Sequence, residues 1–127
     1  MARPPAKELT DRELEIMHVF WRRGPSTAAE IRDQLAAAGR DLAYTTVATL
    51  IRILSEKGFL LQTNTERPFV YRPARDFQDV SRSMVGDLIE RVFHGSREQL
   101  LVRLLEQRKL TAKERAILEA ILRKEKP

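Results

Sequence analysis

A helix that ends in glycine and runs straight into a basic-tipped hairpin is the strongest constraint in this chain. The segment begins Tyr44-Thr45-Thr46-Val47-Ala48-Thr49-Leu50-Ile51-Arg52-Ile53-Leu54 and continues Ser55-Glu56-Lys57-Gly58-Phe59-Leu60. Small hydroxyl residues crowd its first turns. Val47, Leu50, Ile51 and Leu54 recur at helical spacing, so one face is apolar. Gly58 then supplies a left-handed stop that few other residues adopt. A strand is expected at about Phe59–Thr63 and a second at about Phe69–Arg72, the latter bracketed by Pro68 and Pro73. Between them Asn64-Thr65-Glu66-Arg67 is polar and turn-prone.

Two helices are expected upstream. Thr10-Asp11-Arg12-Glu13 is a capping box, in which threonine and glutamate satisfy orphan amides reciprocally. Leu14, Met17, Val19, Phe20 and Trp21 follow as apolar positions, with Ile16 flanking, and Gly24-Pro25 ends the run. Thr27 and Glu30 repeat the box spacing. Ala28, Ile31 and Leu35 then face inward as far as about Ala38, before Gly39. Leu42 reads as a staple into the third helix. Three short helices and a hairpin are the element order of a winged helix-turn-helix, expected over residues 9–74. Residues 1–8, with two prolines and no periodicity, read as a loose arm.

After Pro73 the pattern becomes wholly helical. Val80, Met84, Val85, Leu88, Val92 and Phe93 form one stripe, and His94-Gly95-Ser96 interrupts it. Leu100, Leu101, Leu104 and Leu105 form the next. A third capping box, Thr111-Ala112-Lys113-Glu114, opens a run with Ile117, Leu118, Ile121 and Leu122. Roughly fifty residues in three helices are too few to enclose a core of their own. They must pack on the first region or pair with a second copy. Pairing suits a reader of DNA, because a two-fold dimer matches a palindromic site. The fold class is therefore mainly α with a small β-hairpin, with residues 75–127 as a three-helix dimerisation region. The expected dimer contacts are Val85, Leu88, Val92, Leu101, Leu104, Leu105, Leu118, Ile121 and Leu122.

Composition narrows the partner. The formal charge of +5 favours an anion, nucleic acid first, but it is spread over both regions, so the motif must say where the partner sits. The absence of cysteine excludes disulfides and thiolate metal sites. His18 and His94 are too far apart in sequence to read as a metal pair, and no cofactor or metal is expected. No apolar run approaches the ~18 residues of a membrane span, and no signal-peptide core opens the chain. A cytoplasmic protein without membrane insertion is expected. No catalytic grouping is present: there is no glycine-rich phosphate loop and no nucleophile with a plausible base.

The third helix suits a DNA groove. Thr45, Thr46 and Thr49 are short donors and acceptors whose methyls can meet thymine methyls. Helix-start amides attract phosphate. Arg52 follows Thr49 by one turn and can reach a base edge or the backbone. Tyr44 can bond a phosphate through its hydroxyl. Arg67 at the hairpin tip can enter a minor groove or hold a phosphate. Arg22 and Arg23 read instead as partners of the first helix's negative end. Phe20, Trp21, Phe59 and Tyr71 read as core.

These segments together resemble the penicillinase repressors of the BlaI/MecI type. The resemblance covers nearly the whole chain. It is carried by Leu9-Thr10-Asp11-Arg12-Glu13-Leu14-Glu15-Ile16-Met17 with Trp21, and by Ala43-Tyr44-Thr45-Thr46-Val47-Ala48-Thr49-Leu50. Leu54-Ser55-Glu56-Lys57-Gly58-Phe59-Leu60 and Phe69-Val70-Tyr71 complete it. It implies a homodimer that represses a promoter by covering a dyad of TACA/TGTA-like half-sites. In antibiotic-responsive members a membrane sensor protease triggers cleavage within the dimerisation region. The bond cut there is Asn-Phe; here Arg103-Leu104 takes its place. Ala48 stands where some members carry a recognition-helix arginine, a role that could move to Arg52. The cysteine-rich tail of the copper-responsive branch is missing.

Two other uses of such a chain stay open at this level. One is a winged helix that binds protein, which would need an exposed apolar patch on the third helix. The other is a ligand-responsive winged-helix regulator with a pocket between its regions.

Overall fold

A computed structural model describes residues 8–125 of the chain. These fall into two compact units, one reaching Met84 and the other beginning at Val85.

The first unit is built from α1 (Asp11–Arg23), β1 (Ser26–Thr27), α2 (Ala28–Ala37), α3 (Tyr44–Glu56), β2 (Leu60–Gln62) and β3 (Val70–Pro73), together with the start of α4 (Phe77–Val92). Both expected capping boxes are formed. The Glu13 N–H donates to Thr10 Oγ1 at 3.2 Å, and the Thr10 N–H donates to Glu13 Oε1 at 2.8 Å. Thr27 and Glu30 repeat this at 3.2 and 2.8 Å at the start of α2. α3 ends as its sequence requires. Gly58 has φ +88°, its N–H bonds Ser55 O at 3.1 Å, and the Phe59 N–H reaches back to Leu54 O at 2.9 Å. This is a Schellman close, and it turns the chain directly into β2.

The sheet has three strands where a hairpin alone was expected. Its order is β1-β3-β2, antiparallel throughout. Ser26 faces Tyr71 and Thr27 faces Val70, while Leu61 faces Arg72 and Gln62 faces Tyr71. β1 is two residues long, too short to show an alternation, and it pairs only because the tertiary fold brings the α1–α2 turn beside β3. The hairpin therefore springs from a strand that is paired on both sides.

The core gathers Ile16, Met17 and Phe20 of α1, Ile31 and Leu35 of α2, and Val47, Ile51 and Leu54 of α3, closed by Phe59, Leu60 and Val80. Burial of each large side chain contributes about 1.5–3 kcal/mol. Three details differ from the sequence reading. Ile16 is fully buried, whereas Leu14 is only half-buried. Trp21 lies at the core's margin: its ring meets His18 and Phe77 edge-on or nearly so, each at 5.3 Å between centroids, and its Nε1–H donates to Arg75 O at 2.9 Å. Glu13 does more than cap. Its carboxylate is buried and accepts a bond from Lys57 Nζ at 2.8 Å, while the same ammonium donates to Glu8 O at 2.9 Å. The start of α1 is thereby tied to the end of α3.

The second unit holds the rest of α4, then α5 (Arg97–Gln107) and α6 (Ala112–Glu125). His94 and Gly95, at φ +50° and +85°, turn the chain between α4 and α5. Ser96 caps α5, its Oγ accepting the Gln99 N–H at 3.2 Å. The third capping box, Thr111 with Glu114, opens α6 at 3.1 and 2.9 Å. The expected apolar stripes form, yet no residue of α6 is buried.

Burial alone would raise the Glu13 pKa. The hydrogen bond and charge of Lys57 and the bonds from Thr10 outweigh it, so the net shift is downward. A lowered folded-state pKa adds stability above the unfolded value, near 4.5, and loses it as pH falls through the folded one. Glu13→Gln should cost about 1–3 kcal/mol at pH 7 by leaving the Lys57 ammonium without its carboxylate. The gap to the native protein should shrink as pH falls below about 4.5. Urea melts at pH 7 and pH 3.5 measure it; a gap that stays constant would mean that the charge pair is not what Glu13 contributes.

Candidate nucleic-acid interface

Burying Val47, Ile51 and Leu54 turns the opposite side of α3 outward. Thr45, Thr49 and Arg52 are exposed there, and Thr46 is half-buried at its edge. Tyr44 is the first residue of the helix and is also exposed. The cap of α3 is Ala43, which makes no side-chain cap bond. Thr45 and Thr46 are therefore inside the helix rather than capping it. The hydroxyls of Thr45, Thr46 and Thr49 make no hydrogen bond to other described residues. Unlike α1 and α2, α3 opens with amides that no side chain occupies, an arrangement suited to an anion.

A groove of about 780 Å³ runs along this face. Tyr44, Ala48, Thr49 and Arg52 of α3 line it on one side, and Gln62, Arg67, Pro68, Phe69 and Tyr71 of the wing line it on the other. Thr27, Ala28 and Ala29 at the start of α2 close its end. Four residues singled out from sequence, Tyr44, Thr49, Arg52 and Arg67, are thus brought to one groove; Thr45 and Thr46 lie outside its lining. Sequence reasoning missed Gln62 and the start of α2. A lone glutamine on a strand carries no signal until β2 is placed beside α3.

Neighbouring charges orient these side chains. The Arg67 guanidinium lies 5.6 Å from the Phe69 ring centroid, at a wing whose Arg67-Pro68 peptide is cis. Asn64 braces the turn: its Oδ1 accepts the Val70 N–H at 2.8 Å, and its Nδ2 donates to Glu66 O and Pro68 O. Arg32 of α2 sits 6.0 Å from the Tyr44 ring centroid. Arg52 Nη1 donates to Glu56 Oε1 at 2.8 Å. Arg23 stands in the last turn of α1 and also bonds Ser26 Oγ at 3.1 Å and Glu30 Oε2 at 2.8 Å. Hydrogen bonds from the Thr27 N–H and from Arg23 hold the Glu30 carboxyl below its ordinary pKa.

In the second unit Val85, Leu88, Val92, Leu101, Leu104, Leu105, Leu118, Ile121 and Leu122 are all exposed, as are Val102 and Ile117. Arg103 and Leu104 lie inside α5, where Arg103 pairs with Glu106 at 2.7 Å. A protease that takes an extended strand meets that bond only after α5 unwinds. Among the described residues no cluster of His, Asp or Glu is placed to hold a metal ion, and no helix is long and apolar enough to cross a membrane.

The sequence pattern of the penicillinase repressors matches residues 9–124. The transcriptional regulator BlaI of Mycobacterium tuberculosis is 36% identical over 101 residues, covering 78% of this chain and 72% of that one. The penicillinase repressor of Bacillus licheniformis is 27% identical over 119 residues, covering 94% and 92%. The solution structure of the DNA binding domain of the repressor BlaI superposes with a TM-score of 0.51 at 28% identity, covering 61% of this chain and 93% of that domain. Fold, face and relatives define a winged-helix, DNA-binding transcriptional repressor. The chain belongs to the penicillinase repressor family.

Arg67→Ala should weaken binding to every duplex alike and reduce the slope of log K against log salt by about 0.9, the value for one phosphate contact. Fluorescence anisotropy from ~50 to ~200 mM salt measures this. An unchanged slope would place the wing away from phosphate.

Proposed function

We propose that this repressor acts as a homodimer on a palindromic operator, each protomer setting α3 into the major groove of one half-site. The observation that carries this is the outward face of α3: its uncapped start presents free threonine hydroxyls, and Thr49 and Arg52 share one groove with Arg67 of the wing. In this reading Thr45, Thr46 and Thr49 meet base edges, Arg52 reaches a base or the backbone, and Tyr44 and Arg67 hold the phosphates on either side. Among the large apolar side chains of α3 only Tyr44 is exposed on that face, and its ring ends in a polar hydroxyl; Ile51, which lines the groove floor, is buried.

The second unit supports the dimer. Soluble monomers rarely expose more than a few hundred Å² of contiguous apolar surface, and eleven large aliphatic side chains from Val85 to Leu122 are exposed here. Association through them would tether two weak half-site readers. The second then binds at high effective concentration, and separating the protomers releases the operator. A protease acting on this unit would be one way to separate them.

The direct test is titration of the purified protein against a TACA/TGTA dyad and a scrambled duplex at ~150 mM salt. Specific binding should exceed non-specific binding by roughly a thousandfold or more; equal, weak binding to both would remove the TACA/TGTA dyad as the site. Leu104→Asp should split the dimer in sedimentation and weaken operator binding by at least tenfold while the winged helix stays folded. A stable dimer after that change would put the interface elsewhere.

A further inference from the structure

Arg52 uses only one of its donors on its neighbour. Its Nη1 donates to Glu56 Oε1 at 2.8 Å, one helical turn on, while Nε and Nη2 donate to nothing among the described residues. The two side chains are 63% and 64% exposed. Exposed pairs at this spacing add little to folding, so the consequence of this one is geometric. A guanidinium is planar with five donors in fixed directions. Holding Nη1 against a carboxylate fixes where the remaining Nε/Nη2 fork points. That fork matches the O6 and N7 acceptors that guanine presents in the major groove. Arg52 shares the groove lining with Thr49 of the same helix and Gln62 of the wing.

We propose that Glu56 braces Arg52 to read a guanine in each half-site, so that Glu56 is a positioning residue for sequence specificity. The inference rests on the DNA-binding reading above and assigns Arg52 to a base rather than to the backbone. Electrostatics decides between the two. A phosphate brought to Arg52 would lie close to the Glu56 carboxylate and be repelled, whereas the guanine edge is uncharged. The pair is also neutral as a whole, so it releases little counterion and contributes little to non-specific binding. Its contribution is to discrimination.

The experiment selects sites from random duplex DNA with the full-length native protein, with Arg52→Ala and with Glu56→Gln, then measures affinity and salt slope on the native site. The native protein should enrich one position per half-site for guanine, with about a tenfold loss or more on changing that base pair. Replacing that guanine by 7-deazaguanine, which lacks the N7 acceptor, should weaken the native protein and leave Arg52→Ala unaffected. Arg52→Ala should lose the preference at that position alone. Glu56→Gln should still bind, with the guanine preference reduced severalfold and the salt slope steeper by about one phosphate contact, as the released arginine turns to the backbone. A guanine preference unchanged in both variants would overturn the assignment, as would a Glu56→Gln effect that is equal at all positions with no change of slope. If the native protein enriches no sequence, the DNA-reading role of α3 falls, and this proposal falls with it.

Discussion

Burial of Val47, Ile51 and Leu54 decides which way the third helix faces, and most of the first unit follows from that. α3 packs on α1, α2 and β2, so its apolar stripe is pinned from several directions. A half-turn of the helix about its axis would expose these three side chains and bury Thr45, Thr49 and Arg52. Each of the apolar residues forgoes about 1.5–3 kcal/mol when left in water, and the hydroxyl and guanidinium groups would cost further when desolvated. The polar face is thus held outward by what lies behind it. Lys57 adds a lock at the helix's far end, because its ammonium bridges the Glu13 carboxylate and Glu8 O.

The wing depends on the same core by a different route. The Schellman close at Gly58 sends Phe59 and Leu60 inward, which starts β2 in one register. β3 is then paired on both sides, with β1 as its second partner. A free two-stranded hairpin is at best marginal in water. Three strands and a buried base give the tip a fixed origin, and Asn64 organises the turn that carries Arg67. The groove between α3 and the wing is therefore a product of packing rather than of any single motif.

The second unit poses the opposite problem. Its helices are well capped, yet their apolar stripes face solvent. Local signals make helices; they do not supply a surface to bury them on. The proposed second protomer would resolve this, and the same association would raise the affinity for a two-fold site. Stability and operator binding would then draw on one interface.

Much of this was legible in the sequence because it is written in local chemistry. Three capping boxes, the glycine stops and the 3.6-residue stripes located the helices, and the hydroxyl-rich start of α3 marked the outward face. The family resemblance followed from those same segments. Other features are set by residues distant in the chain, and no pattern announces them. β1 exists because Ser26 and Thr27 meet Tyr71 and Val70. Glu13 is buried beside Lys57, 44 positions away, although the capping box alone had seemed to account for it. Gln62 enters the groove only because the wing folds beside α3. Sequence by itself determined which helices form and which faces are apolar, since both depend on neighbours within a turn or two. Tertiary structure decided which polar groups share a groove and which are tied together beneath it, because those depend on distances that only the folded core fixes.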